Sequence, residues 1–292
     1  MTWSYTNTFK FPAPPERVFR AWTDPGELTR WFAEQAEVTL APGGAYRFWG
    51  KHTVGCPTPA EARQSLVRIE PNRRLAFTWT LYQTGSEVSV DLAPSEEGTA
   101  LTLTHALAGD LGIRRGPELI EDLWRLSCGN LLMHLQGGAG IVLPDYGDPR
   151  PEVRQVLMIE APPAVVWRAL TEPKAIQQWF GTGHATVDPR VGGEYNLHWQ
   201  YQVEGREVTA GTGRILEFEP DRRLVLTWID WRGDPTVNTQ TISFTLEPVG
   251  ERTRVTFVHA GFERTADISD YPFGWAGFLE GFVAAAEALV QR

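Results

Sequence analysis

Hydrophobic positions recur along this chain with two periods, and the same succession of periods occurs twice. Phe9 and Phe11 alternate with Thr8 and Lys10, as Leu157 and Ile159 alternate with Met158 and Glu160, which predicts a strand at the head of each half. Ala-Pro-Pro follows in both halves, and proline suits the first turn of a helix, where its missing N–H goes unused. Val18, Phe19 and Trp22 then fall at i, i+1 and i+4, as do Val166, Trp167 and Leu170, giving one buried stripe each. Thr23-Asp24-Pro25 and Thr171-Glu172-Pro173 end these helices and begin shorter ones that close on Trp31-Phe32 and Trp179-Phe180. A period of two takes over next. Leu75, Phe77 and Trp79 share a face, as do Leu224, Leu226 and Trp228; Val88, Val90 and Leu92 alternate likewise, with Ile242, Phe244 and Leu246 as their counterparts. Such alternation marks antiparallel strands with one buried side. Each half closes on a long helix of 3.6 period. Ile120, Leu123, Trp124, Ser127, Cys128, Leu131, Leu132 and Leu135 form the first stripe, ended by Gly137; Trp275, Phe278, Leu279, Phe282, Val283, Ala286, Leu289 and Val290 form the second.

The repetition extends to the letters. "APPERVFRAWTDPGELTRWF" begins at Ala13 and "APPAVVWRALTEPKAIQQWF" at Ala161; "PGGAYRFW" at Pro42 answers to "VGGEYNLHW" at Val191. "IEPNRRLAFTW" and "FEPDRRLVLTW" end on Trp79 and Trp228, and "LTLTHA" at Leu101 pairs with "VTFVHA" at Val255. The period is too long for a solenoid, so the chain holds two copies of one domain. The expected boundaries are 1–136 for the first domain and 152–292 for the second. The Gly- and Pro-rich segment 137–151 between them lacks apolar periodicity and reads as a linker. Its Ile141-Val142-Leu143 is apolar enough to pack on a domain surface. A short linker is also consistent with the copies packing on each other as a pseudo-dimer.

Composition narrows the function classes. A formal charge of −9 supplies no basic excess for a nucleic-acid partner. Two cysteines, Cys56 and Cys128, give neither a disulfide framework nor a zinc quartet, and His52 with Cys56 falls short of a metal's ligand count. No phosphate loop or G-x-S-x-G elbow occurs, so no cofactor is expected. The N-terminus lacks a signal pattern and no uninterrupted apolar run reaches membrane length, which predicts no membrane span and a cytoplasmic protein. Twelve tryptophans point to large apolar surfaces or to the walls of a pocket.

The ordered motifs, a strand ending in His and a Trp-bearing last helix together resemble the Hsp90-ATPase-activator-homologue-like (AHSA1-like) family. That family belongs to the START/Bet v 1-like (SRPBCC) superfamily. The resemblance covers nearly all of both halves. It implies an α+β helix-grip fold in each domain: a curved antiparallel sheet wrapped on a long C-terminal helix, with an apolar cavity between them. The second copy carries "HAGF" and "FGW", nearer the family pattern, where the first has "HALAG" and "DLW". The first also has "AEARQSLVRIEP" in place of the Gly-rich "AGTGRILEFEP", which predicts altered middle strands or an altered cavity mouth. A ligand site kept in only one domain is therefore expected in the second.

Candidate site residues follow from strand parity. Leu101, Leu103 and His105 share a face, as do Val255, Phe257 and His259, so each histidine reaches the inward side of a strand end. There it can hydrogen-bond a ligand, act as an acid or base, or satisfy loop backbone as a structural group. Trp79, Trp124, Trp228, Trp275 and Phe278 wall the same space, or fill it as core. Tyr46 and Tyr195 share the inward parity and add phenolic hydroxyls. Three functions are compatible with this set. The leading one is binding of a small apolar or amphipathic ligand in the sheet–helix cavity. The alternatives are an Hsp90-type chaperone or protein-interaction module, implied by the family, and a cyclase- or hydrolase-like enzyme using His259 or His105.

Overall fold

In the computed structural model, residues 3–56, 58–113, 115–138, 140, 143–148, 150–203, 205–231, 234, 236–263, 265–268 and 271–290 are described. The first copy runs β1 (Trp3–Phe11), α1 (Pro15–Thr23), α2 (Pro25–Trp31), β2 (Gln35–Val38), β3 (Tyr46–Trp49), β4 (Leu66–Glu70), β5 (Arg74–Leu81), β6 (Thr84–Ser95), β7 (Gly98–Leu107) and α3 (Gly116–Leu135). The second runs β8 (Val153–Ile159), α4 (Pro163–Thr171), α5 (Pro173–Phe180), β9 (Thr186–Val187), β10 (Glu194–Val203), β11 (Arg206–Glu219), β12 (Arg223–Thr227), β13 (Thr241–Val249) and β14 (Arg252–Ala260). A 3-10 turn (Thr265–Ile268) and α6 (Tyr271–Val290) complete it. Two compact units result: Met1–Pro149 with Arg264–Pro272, and Arg150–Glu263 with Phe273–Arg292.

Both copies are α+β, with antiparallel sheets and one long C-terminal helix each. The second sheet has the order β8-β14-β13-β12-β11-β10-β9, and the first β1-β7-β6-β5-β4 with β2-β3 as a separate ribbon. The inward rows expected from alternation are buried: Leu75, Phe77, Trp79, Val88 and Val90 in one sheet, Leu224, Leu226, Ile242, Phe244 and Leu246 in the other. The stripe of α6 ends one residue early. Leu289 is buried, whereas Val290 in the last turn is 50% exposed.

The repeated opening segment has a physical explanation. Pro15 and Pro163 occupy first-turn positions of α1 and α4. Trp31 Nε1 donates to the Ala21 carbonyl at 3.0 Å, and Trp179 Nε1 to that of Ala169 at 3.0 Å, so each indole ties the short helix to its predecessor. Thr99 Oγ1 donates to the Ala13 carbonyl at 2.6 Å and Thr253 Oγ1 to that of Ala161 at 2.7 Å, fixing the strand-to-helix turn onto the sheet.

The copies part at the middle strands. Gly213 crosses so close to β12 that a Cβ would stand 2.5 Å from the Thr227 carbonyl oxygen, and Gly211 has φ +84°. Glycine at both places lets β11 run on as a long hairpin with β10. The first copy has Ala62 and Gln64 there, and its strand begins only at Leu66. Gln64 turns inward instead, donating to the Phe48 carbonyl at 3.1 Å and reaching Cys56 Sγ at 3.2 Å.

Part of the inter-copy segment is laid on the first unit. His52 Nδ1 donates to the Pro144 carbonyl at 3.0 Å, and the Tyr146 N–H to that of Lys51 at 2.7 Å. Leu143 is buried, and burial pushes up the pKa of the Tyr146 phenol. Ile141 and Val142 lie outside the described residues. Helix α6, with a mean hydropathy of 1.4, is long and apolar enough by composition to cross a membrane. Its Phe282, Ala286 and Leu289 are buried in the second unit, as expected of a core helix.

Candidate functional site

The sheet–helix interfaces are the places to look, because both copies bring a histidine, tryptophans and phenylalanines together there. His105 is fully buried on β7. Trp124 Nε1 from α3 donates to its Nδ1 at 3.0 Å, so Nδ1 carries no proton. Its Nε2–H therefore donates to Ser86 Oγ at 2.8 Å, and Ser86 passes its own proton to the Trp79 carbonyl at 2.7 Å. The second copy repeats the bridge. Trp275 Nε1 donates to His259 Nδ1 at 2.9 Å, and His259 Nε2–H to Gln240 Oε1 at 3.0 Å. Burial lowers both imidazoles to a pKa of about 3, so both are neutral around pH 7. With Nδ1 accepting and Nε2 donating, each ring ties the C-terminal helix to the sheet. Neither nitrogen offers a free lone pair for proton abstraction.

Tyr46 and Tyr195 are committed in the same way. Their hydroxyls donate to the Trp22 and Leu170 carbonyls at 2.7 and 3.1 Å, holding β3 to α1 and β10 to α4. Phe257 is fully buried against Trp275, with ring centroids 4.4 Å apart.

Around Trp79 the first domain is closed. Phe32 stacks on Trp124 at 5.7 Å, Phe48 meets Trp79 edge-on at 4.9 Å, and Cys56 and Gln64 are buried behind them. Burial pushes the Cys56 thiol up to about 11, and the buried Trp79 Nε1–H has no acceptor among the described residues. Around Trp228 the second domain carries two half-buried aromatics. Three residues after Trp275 stands Phe278, where the first copy has Ser127 three residues after Trp124. Phe278 is half-buried and stacks on half-buried Trp199 at 5.8 Å and 23°. Phe180 closes the corner, 5.2 Å from Phe278 and 5.4 Å from Trp199. Trp228 lies beneath, 6.0 Å from Trp199, and its buried Nε1–H has no acceptor among the described residues.

Four further residues belong to this region. Trp199 and Tyr201 share the parity of Tyr195 along β10, which is the sequence signal for them. Gln240 and Asp230, both buried, sit between β12 and β13, where no periodicity marks them. Asp230 accepts the Asp234 N–H at 3.3 Å. Burial, then the Asp230 charge, raises the Tyr201 phenol to about 12, and its hydroxyl donates to the Trp231 carbonyl. The candidate site is thus an aromatic mouth with a buried N–H at its floor and polar groups on one flank.

The model of the family "Activator of Hsp90 ATPase homolog 1-like protein" matches residues 12–131 and 160–287, well over half of the chain. The chain belongs to that family and carries two of its domains in tandem. No curated protein matches it. Among solved structures it is similar to protein MLL2253 from Mesorhizobium loti, with 26% identity over 47% of this chain and 97% of that one, and a TM-score of 0.39. DynU16, a putative protein in the dynemicin biosynthetic locus, is 18% identical over 98% of this chain and 97% of its own, with a TM-score of 0.40. The Aha1 dimer from Colwellia psychrerythraea is 22% identical over 47% and 96%, with a TM-score of 0.37.

Proposed function

We propose that the second domain binds a small, flat, apolar or amphipathic molecule between β10, β12 and α6, and that the protein acts by binding rather than by catalysis. The observation that carries this reading is the half-buried Trp199–Phe278 stack lying over Trp228, where the first copy has Ser127 in place of Phe278; the Trp228 indole N–H, like that of Trp79, is buried without an acceptor among the described residues. An unpaired buried donor costs roughly 1–3 kcal/mol, and a ligand that brings an acceptor oxygen recovers it. The aromatic faces supply the apolar contact and the N–H supplies orientation. The engagement of both His259 nitrogens argues against acid–base chemistry there. Two free, buried cysteines favour a cytoplasmic setting.

The test is titration of the full chain with 1-anilinonaphthalene-8-sulfonate, comparing the parent with Trp228→Phe and Phe278→Ser. Phe278→Ser should weaken binding by ~tenfold and Trp228→Phe by ~fivefold, the worth of one buried stack and one net hydrogen bond. Dye binding unchanged in both variants sinks the reading. Family membership supports a second reading, association with an Hsp90-type chaperone. That one fails if an immobilised chaperone of this type retains none of the chain and its ATPase rate does not respond.

A further inference from the structure

A second site lies in the first domain, independent of the aromatic mouth. A cleft of about 300 Å³ is lined by Thr29, Arg30, Trp31, Phe32, Ala33 and Glu34 around the end of α2, by His52 and Asn130, and by Gly140 and Leu143. One wall is apolar, formed by Trp31, Phe32, Ala33 and Leu143, and most of the rest is polar. That size suits a small metabolite.

Its polar groups are arranged for a particular chemistry. The Arg30 guanidinium is exposed and has no ion-pair partner among the described residues. Glu34 is occupied elsewhere. Its Oε2 accepts the Lys51 N–H at 2.9 Å, and its Oε1 lies 3.8 Å from Lys51 Nζ. His52 donates through Nδ1 to the Pro144 carbonyl at 3.0 Å, and the tautomer that this bond selects presents Nε2 as an acceptor. The nearest carboxylate oxygen, on Glu34, is 3.9 Å from that nitrogen, too far for a hydrogen bond. A free five-donor cation and a free acceptor therefore border one small space. A carboxylate answers the first, and a hydroxyl or amine on the same molecule answers the second.

The duplication shows that the framework does not need Arg30. The second copy keeps the scaffold of this corner, with Trp179-Phe180 matching Trp31-Phe32 and the same indole-to-carbonyl tie. It has Gln178 at the place of Arg30, Thr182 at that of Glu34 and Gly281 at that of Asn130. A fold that holds this corner with Gln178 has no structural need for Arg30, whereas Glu34 holds the Lys51 N–H in place. From these observations we propose that the cleft binds a small organic acid bearing a hydroxyl or amino donor, its carboxylate on Arg30, its donor on His52 Nε2 and its apolar part on Trp31 and Leu143.

The experiment uses the full chain and three matched probes: 3-phenyllactate, phenylalanine and 3-phenylpropionate, titrated by calorimetry at neutral pH. Phenyllactate or phenylalanine should bind ~tenfold more tightly than phenylpropionate, which lacks the donor. Arg30→Gln should weaken the tightest probe by ~tenfold or more, with Arg30→Lys recovering part of the loss. His52→Gln should weaken only the two donor-bearing probes, bringing them level with phenylpropionate. Glu172→Ala, a surface change in the other domain, should leave all three unchanged. No binding by any probe, equal binding by all three, indifference to Arg30→Gln, or loss in Glu172→Ala would each overturn the assignment.

Discussion

Trp79 and Trp228 occupy the same place in the two sheets, each with its indole N–H buried and unpaired among the described residues, yet the first is covered by fully buried groups and the second by half-buried aromatics. The roof of the first is the loop carrying Cys56 and Gln64; the second has the β10–β11 hairpin with Trp199. Beneath these, the frame is duplicated bond for bond. The Trp–His bridge, the tyrosine-to-carbonyl bond and the indole tie between helices all recur, the first and last with nearly equal lengths. The chain is thus its own control. Groups repeated in both copies serve the fold, and groups present in one copy are where to look for function. Each prediction below tests that division.

The largest effect is expected where the copies agree. Trp124→Ala and Trp275→Ala each remove a buried indole and strip His105 or His259 of its Nδ1 donor. Each should cost about 3–5 kcal/mol in urea unfolding of its own domain. The two losses should agree to within about 1 kcal/mol. If one copy tolerates the change, the frame is not shared.

The same bridge predicts acid sensitivity. Both histidines are held neutral, with folded pKa values of about 3 against an ordinary value near 6.5. The unfolded chain takes up these protons first, so stability is full above pH 6.5 and falls as pH drops toward about 3. The loss amounts to roughly 4 kcal/mol per histidine over that window. Unfolding free energies measured from pH 7 to pH 4 should show one proton taken up per histidine, and His105→Gln or His259→Gln should each remove one. An unchanged slope in those variants refutes the neutral bridge.

The copies should differ at the middle strands. Gly213→Ala places a Cβ 2.5 Å from the Thr227 carbonyl oxygen, a backbone contact with little room to give. A loss of about 1–3 kcal/mol in the second domain is expected, with weaker dye binding as the hairpin shifts. Gln64→Ala in the first domain removes one hydrogen bond to the Phe48 carbonyl and should cost about 1 kcal/mol. Thermal unfolding of both variants provides the measure.

This position also shows where the sequence stopped being legible. The two periods marked the helices and the strands β1, β5 to β8 and β12 to β14, because alternation and the 3.6 repeat are local properties; β2 to β4 and β9 to β11 were not read from any period. The strand-to-helix turns were readable from Ala-Pro-Pro for the same reason. The need for glycine at Gly213 arises from a close approach to β12, which no local pattern encodes. Parity placed His105, His259, Tyr46 and Tyr195 on inward faces, but parity gives the face and not the partner. Whether a phenol meets a ligand or the carbonyl of Trp22 depends on how deeply α1 sits over β3. Asp230 and Gln240 lie between strands, outside any period. The cleft beside Arg30 depends on Asn130 of α3 meeting the loop at His52, an encounter between residues distant in sequence.

The smallest predicted difference lies at the start of the short helices. Asp24 caps α2, its side chain accepting the Glu27 N–H at 3.0 Å, while Glu172 at the matching place makes no such bond to α5. Glu172 pairs instead with Arg168, Nε to Oε1 at 2.6 Å, across a solvent-exposed turn. A lost cap costs about 1 kcal/mol, whereas an exposed pair of this spacing contributes about 0.3–0.5 kcal/mol. Asp24→Ala should therefore destabilise the first domain about two to three times as much as Glu172→Ala destabilises the second. Glu172→Asp shortens the side chain to capping length and sacrifices only the weaker pair, so it should raise the second domain's stability by about 0.5 kcal/mol. Differential scanning calorimetry on the three variants decides the matter. Equal losses from Asp24→Ala and Glu172→Ala would show that the side-chain cap contributes nothing beyond the backbone turn both copies share.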